Sequence, residues 1–504
     1  MYPGNNWEIV YPQSPWHNPA NYQERGLKSE RPAHLEIIDH SGQVRCSMNI
    51  GIRIHGLASR FYAHKSLRLY AREEYDHHKA IEYDFFPALN NRGQTHQVET
   101  FRTLILRNGG NERTWSMLRD ELAQSLLVST SLDIQGFYPV VVFINGDYWG
   151  IHSIRNRYDE HYFESYYGIK SEDLSVLERN VTVKIGNEED RQAFFDVLRV
   201  IDPDFLANEY KTINTLADPV AYQRIEELID IENFIDHYVA QIYFGNGDWP
   251  GNNVMYWRYK TENNHNIDNE EQYGYDGRWR WVIMDVDWGL WEPRYNALYE
   301  STREDGDEWF NAPWSTYLIR SLLQNDGFRD QFINRFADTL NTIFREEVVL
   351  RKTSEIKTIY QPEIDEHTMR WRYVRLGSSE EWRNNVSEIE NFAFQRPNYQ
   401  RQHIIEYFNL AGSFNLSAVV EPSHGHIKIN SIEIKEGVIG VDNPANWSGV
   451  YFIGIPIEIT AIPEEGFRFV RWEGPDFLGE NSYSPIISLI ATEDVILQAV
   501  FDKE

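Results

Sequence analysis

The chain has almost no cysteine. Cys46 is the only one among 504 residues, which excludes an internal disulfide and any zinc cluster built on several thiolates. Basic residues are also scarce: 48 Lys and Arg stand against 77 Asp and Glu, a formal charge of −29. A chain this acidic is repelled by nucleic acid and by anionic lipid, so neither is an expected partner. Long apolar runs are missing, and no stretch reaches the roughly 18 residues that a membrane-spanning helix needs. The residues after Met1 (Tyr2, Pro3, Gly4, Asn5, Asn6) do not read as a signal peptide. Neither G-x-G-x-x-G opening a helix nor a P-loop signature occurs, which argues against the common nucleotide-binding loops.

What is present is enough apolar surface for a sizeable core. Hydrophobic residues make up 41% and aromatic residues 14% of the chain, unlike a disordered composition. The length allows two or three domains. Residues 1–30, polar and rich in Pro, Asn and Tyr, read as an arm or linker. Residues 31–75 read as strands; in "KSLRLYAR" Leu67, Leu69 and Ala71 alternate with Ser66, Arg68 and Tyr70. "RDELAQSLLVS" (119–129) reads as a helix, and Asn145-Gly146 predicts a type I′ turn between two strands. Residues 190–243 read as helical with breaks near Pro203 and Pro219, and residues 314–410 as mainly helical. From Ser413 onward short Ile/Val-rich runs alternate with Gly, Pro and Asn turns, which predicts a separate all-β domain able to fold alone.

Three stretches carry chemistry. In "YFGNGDWPGNNVMYWR" (243–258), Asp248 precedes Asn253 by five positions. Protein kinases use this spacing for a proton-accepting Asp and a metal-ligating Asn. A carboxamide completes a hard-cation site without adding negative charge beside phosphates. Gly245, Gly247 and Gly251 suit a tight turn, Pro250 stiffens it and Trp249 anchors it. The same residues also suit an Asx turn with no catalytic role. In "RWRWVIMDVDWG" (278–289) a hydrophobic strand runs into Asp285 and then Asp287-Trp288-Gly289, as a metal-binding D-F-G element does. The gap between the two stretches is largely a polar insert that reads as a hairpin excursion. In "GIRIHGLASRFYAHKSLRLYAR" (51–72) a Gly- and Ser-bearing turn lies between strands and Lys65 begins the second, an arrangement that can neutralise phosphate. "YDHHK" (75–79) offers metal-ligand types, but adjacent histidines usually face apart and a solvated turn is the simpler reading.

Taken in order, these stretches resemble the CotH (spore coat protein H) family of atypical, secretory-type protein kinases. The resemblance spans about residues 20–410 and includes "ERPAHLEI", "FRTLILRNGG", "LRDELAQ", "FINGDYWGIHSI", "GNGDWPGNN", "FRDQF" and "EHTMRW". It implies an α+β, two-lobed kinase-like domain over residues 31–411, followed by the small β domain at 412–504. It further implies ATP with Mg²⁺ or Mn²⁺ and a protein substrate bearing Ser or Thr. Carried over, Asp248 is the catalytic acid/base and Lys65 the phosphate-contacting lysine, with Ser59, Arg53 and Glu121 also on the nucleotide side. Asn253, Asn252 and Asp285 hold metal, supported by Asp287; either Asp120 or Glu121 pairs with Lys65. The family pattern "G-[hydrophobic]-Y-x-x-x-E" is broken here: His152 replaces the Tyr and Asn156 the Glu. That break bears on nucleotide affinity and activity.

The C-terminal "IPIEITAIPEEGFRFVRWEGPDF" is similar to the divergent internalin B-repeat type of bacterial surface domains. It implies a secreted or surface-attached protein with a cell-surface or matrix partner. Net negative charge makes a basic substrate the electrostatically favoured one. Two other classes stay open: an inactive kinase-like adhesin, and phosphoryl or nucleotidyl transfer to a small molecule or glycan.

Overall fold

The computed structural model describes residues 20–57, 59–89, 98–260, 272–306, 308–374 and 377–504. Residues 1–19 of the expected arm and 261–271 of the expected hairpin excursion lie outside the described residues. The chain is α+β with a C-terminal all-β region, and it divides into two compact units. One comprises Met1–Phe194, Asn253–Gly289 and Thr353–Ile389; the other Phe195–Asn252, Leu290–Lys352 and Glu390–Glu504.

The first unit is built on strands β1 (Arg31–Ile38), β2 (Val44–Ile54), β3 (Leu67–Tyr70), β4 (Ile81–Glu82), β5 (Thr100–Phe101), β6 (Thr103–Arg107), β7 (Phe137–Ile144) and β8 (Asp147–Arg155). Six form one antiparallel sheet in the order β1-β2-β3-β6-β8-β7. Asn145 and Gly146, at φ 53° and 83°, make the tight turn between β7 and β8, the positive-φ pair that a type I′ turn requires. Strands β9 (Leu174–Glu178), β10 (Thr182–Ile185), β11 (Met255–Tyr259) and β12 (Arg280–Trp281) form a second sheet, ordered β10-β9-β11-β12. The strand read over 278–289 is shorter than the apolar run. After Trp281, Val282 N–H still donates to Met255 O and Ile283 N–H to Asp133 O, and then the chain leaves the ladder.

Asp133 is fully buried and accepts from Tyr162 OH (2.7 Å), Tyr167 OH (2.6 Å) and Trp257 Nε1 (2.8 Å). A buried carboxylate tolerates that burial because each of its oxygens finds a donor. The helix Ile364–Trp371 lies on β8: His367 Nδ1 accepts Ile151 N–H at 3.0 Å and Trp371 Nε1 donates to Trp149 O at 3.0 Å.

In the second unit the helix Ile231–Phe244 is capped by Asp230, whose side chain accepts Asn233 N–H, and ends at Gly245 in the left-handed region. Proline at position 219 opens the helix Pro219–Glu226 rather than breaking one, as its missing N–H permits. The helix Asp326–Leu340 buries Phe328, Phe332, Phe336 and Leu340 on one face, the helical spacing read from the sequence.

The β region contains β13 (Ser413–Val419), β14 (Gly425–Ile429), β15 (Ile432–Ile434), β16 (Asn446–Phe452), β17 (Ile457–Pro463), β18 (Phe467–Glu473), β19 (Ile486–Leu489) and β20 (Val495–Lys503). They form two four-stranded sheets, β16-β13-β20-β18 and β15-β14-β17-β19. Alternate residues such as Phe414, Leu416 and Ala418 are buried, the period-2 pattern of a half-buried strand. This region docks on Asp326–Leu340 through polar anchors. Buried Asp338 accepts from Ser431 N–H (3.1 Å) and Tyr451 OH (3.1 Å), and Asn341 exchanges hydrogen bonds with Val450 N–H (2.9 Å) and O (3.0 Å).

Candidate phosphate and metal site

A cavity of about 510 Å³ opens in the first unit. Arg25, Arg53, Arg60, Arg68 and Arg179 line it with His55, and Glu24, Glu178 and Asp285 stand at it. Five guanidinium groups against three carboxylates leave the lining with a surplus of positive charge, which attracts an anion. In a chain of net charge −29 this is a local inversion of field, and planar guanidinium groups match phosphate oxygens two at a time. Burial lowers the pKa of Arg68, and that of Arg60 falls to about 10 through burial and the neighbouring Arg25 and Arg68. Glu30 offsets part of the charge by pairing with Arg53 at 2.5 Å and Arg72 at 3.1 Å.

The loop between β2 and β3 shapes one wall. Gly56 has φ 105°, and a Cβ there would lie 1.9 Å from Ser59 Oγ, so only glycine fits against Ser59. Lys65 closes the loop from inside. Its ammonium donates to Arg60 O at 2.8 Å and Tyr62 O at 2.7 Å and sits over the Tyr22 ring. Burial, then Arg60, lowers its pKa to about 8. The Lys65 ammonium therefore faces main-chain carbonyls and the Tyr22 ring. The β3 cation that lines the cavity is Arg68, whose Nη2 meets His55 Nδ1 at 2.9 Å.

The expected partner acids of Lys65 also go elsewhere. Asp120 and Glu121, on the helix Arg119–Leu126, are buried against Arg155, Glu121 at 3.1 Å and Asp120 in a shorter contact. Asp120 Oδ1 accepts Val286 N–H at 2.8 Å, which ties this helix to the segment bearing Asp285 and Asp287. Lys65 follows a tight turn that points its side chain at main-chain carbonyls, whereas Arg155 reaches both acids from β8.

Asp285 has φ 52° and a side chain 33% exposed. Its backbone oxygen accepts Asn253 Nδ2 at 3.5 Å, and Asn253 has φ 51°. The Asn253 side chain therefore lies beside the Asp285 main chain. Asp287, by contrast, is 1% exposed; its Oδ2 accepts Asn111 N–H at 2.7 Å and Arg107 Nη2 at 3.1 Å. Arg107 Nη2 also binds Asp285 Oδ1 at 2.6 Å. Arg107, Arg25, Arg60, Arg68 and Arg179 are not among the site residues read from the sequence. Period-2 alternation in β3 marks Arg68, but nothing local marks the others.

Asp248 and Asn252 belong to the second unit. Asp248 is 7% exposed and Asn252 Nδ2 lies 3.4 Å from its Oδ2. Trp249 anchors the loop as expected: it is buried, its Nε1 donates to His237 Nε2 at 3.1 Å, and its ring meets Tyr238 edge-on. Of the three loop glycines only Gly245 has positive φ. Gly251 is needed for a different reason, since a Cβ there would lie 2.4 Å from Trp309 O.

Asn156 and His152, where the family pattern breaks, have structural partners. Asn156 Oδ1 accepts Gly136 N–H at 2.8 Å, and His152 Nε2 lies 3.0 Å from Lys65 O. Asp76, His77 and His78 do converge, with ligand atoms within 4.8 Å of one another and imidazole rings 4.0 Å apart. The two histidine side chains do not face apart, and both are exposed.

The first unit thus carries an arginine-lined cavity with a part-exposed carboxylate at it, in a kinase-like α+β chain. The family model described as CotH kinase protein matches residues 52–400. The chain belongs to that family. No curated protein matches it.

Proposed function

We propose that the protein transfers the γ-phosphoryl group of ATP to a Ser or Thr hydroxyl of a protein partner. The observation that carries this reading is the five-arginine cavity with Asp285 at its edge and Asn253 beside it. The oxygen donors of Asp285 and Asn253 suit Mg²⁺ or Mn²⁺, and a divalent ion there supplies charge neutralisation of the phosphates. Arg53 and Arg68 bind and orient the triphosphate, Arg60, held by the main-chain carbonyls of Tyr22, Ile54 and Gly56, adds its charge from behind, and Asp287 holds the segment that presents Asp285. Asp248 takes the acceptor hydroxyl's proton, a role that rests on its place five residues before Asn253. Most of the acceleration comes from positioning and charge neutralisation, as phosphoryl transfer requires little covalent help. The acidic surface favours a basic partner, and the β region offers a second contact to a cell-surface or matrix component of a secreted or surface-attached protein. No helix among the described residues is long and apolar enough to cross a membrane.

A second reading, a kinase-like binding module of little activity, is favoured by Asn156 standing where the family has Glu. Intact-mass analysis after incubation with ATP and Mn²⁺, alone and with a Ser/Thr-bearing basic protein, separates the two. A gain of phosphate that disappears in Asp285→Asn supports phosphoryl transfer. A gain of AMP assigns nucleotidyl transfer instead, and no gain on any component leaves the binding module.

A further inference from the structure

Arg107 occupies the centre of the acidic cluster. It ends β6, its side chain is 15% exposed, and three carboxylates converge on it: Asp285 at 2.6 Å, Asp287 at 3.1 Å and Asp120 at 3.9 Å. The backbone around it is cut to fit. Gly110 has φ 63°, and a Cβ there would lie 2.6 Å from Arg107 Nη2 and 2.2 Å from Asp287 Oδ2. No side chain beyond glycine lets the main chain approach the pair this closely.

We propose that Arg107 is a resident counter-ion that keeps free divalent metal off Asp285, so that metal enters only together with nucleotide phosphates. The proposal rests on the reading that Asp285 is a metal ligand. A bare dication has two routes to that carboxylate. It can share Asp285 with a guanidinium already 2.6 Å away, which places like charges in contact. Or it can displace Arg107, which takes from that largely buried guanidinium its shortest ion pair and leaves it only the longer ones to Asp287 and Asp120. A metal–nucleotide complex meets neither obstacle, because its net charge is negative and the arginine-lined cavity beside Asp285 receives the phosphates. Metal and nucleotide are therefore thermodynamically coupled, each raising the affinity of the other by the same factor. Asp287 remains the strut of Arg107 and Asn111 N–H, while Asp285 changes partner.

Isothermal calorimetry with Mn²⁺ alone, ADP in EDTA, and Mn·ADP tests this on the full chain. The wild type is expected to give saturable binding of Mn·ADP, with Mn²⁺ alone weaker by at least about tenfold, within the usual range of such coupling. Arg107→Gln, which keeps a donor for the carboxylates, is expected to bind Mn²⁺ without nucleotide. A folded Arg107→Gln that binds Mn²⁺ alone no more tightly than the wild type overturns the counter-ion; if that variant melts before it can be titrated, Arg107→Met, neutral and of similar length, is read by the same two outcomes. Equal Mn²⁺ affinity with and without ADP overturns the counter-ion while leaving the phosphotransfer reading intact. Absence of any Mn·ADP binding overturns that reading and the counter-ion with it.

Discussion

Replacing Gly110 by alanine asks how much of this site's stability depends on one missing methyl group. Two costs combine. The first is conformational: φ 63° is the left-handed region, which charges an alanine about 1–2 kcal/mol. The second is steric. The new Cβ would meet Asp287 Oδ2 at 2.2 Å, and that carboxylate, 1% exposed, is held by Arg107 and Asn111 N–H. Moving it breaks a buried ion pair, an event worth about 3–5 kcal/mol when one charge is left uncompensated. Gly146→Ala is the matched control. Gly146 has φ 83° and nothing within 4 Å of its Cβ position, so it bears the conformational cost alone. Urea unfolding of both variants is expected to show Gly146→Ala down by about 1–2 kcal/mol and Gly110→Ala by about 3 kcal/mol or more beyond that. Calorimetry should show loss of Mn·ADP binding in Gly110→Ala only. Equal destabilisation by the two changes would refute the claim that glycine is required there by the Arg107–Asp287 pair.

Asp248→Asn is expected to cut phosphorylation by about 10²–10⁴ with an unshifted thermal melt; a lowered melt with full turnover would reduce Asp248 to a turn residue. Lys65→Met should lower the melting temperature and leave ATP affinity largely unchanged, whereas Arg68→Ala should weaken ATP binding in calorimetry; the reverse pattern would restore Lys65 as the phosphate contact. Asp276 sets an acid limit. Burial raises its pKa, but hydrogen bonds and charge from Arg280, with Arg278, override this and take it from 3.8 to about 2. A depressed carboxylate stabilises fully above its unfolded pKa, so its contribution of about 2 kcal/mol is lost as pH falls from about 4 to about 2. Urea unfolding of Asp276→Asn should therefore lack that part of the wild type's pH slope, and identical slopes would discount the pair.

The parts of the fold set by neighbouring residues were readable from the sequence. Asn145-Gly146 names its own turn, and Phe414, Leu416 and Ala418 announce a half-buried strand. Asn253 and Asp285 were read together by motif order, and the Asn253 amide reaches the Asp285 main-chain oxygen at 3.5 Å. What the sequence concealed is non-local. Asp120 and Glu121 take Arg155 from β8, about 35 positions on, and spacing alone cannot select that cation over Lys65. Arg179 reaches the cavity from a turn where it has φ 51°, with no pattern around it. The early end of the strand before Asp285 is likewise invisible, because it depends on where Asp133 and Met255 stop offering partners.

The pairing of β13 with β20 is parallel, with Leu416 opposite Val495 and Val419 opposite Gln498. The chain enters the β region at the start of β13 and leaves the ladder at the end of β20, so these two points lie at opposite ends of adjacent, hydrogen-bonded strands. Tension applied between Ser413 and Glu504 therefore slides one strand along the other and strains the bonds of that ladder together. An antiparallel pair pulled from one end would instead open one bond at a time. The region is thus wired as a shear clamp, the geometry by which a small β fold resists mechanical extension along its length.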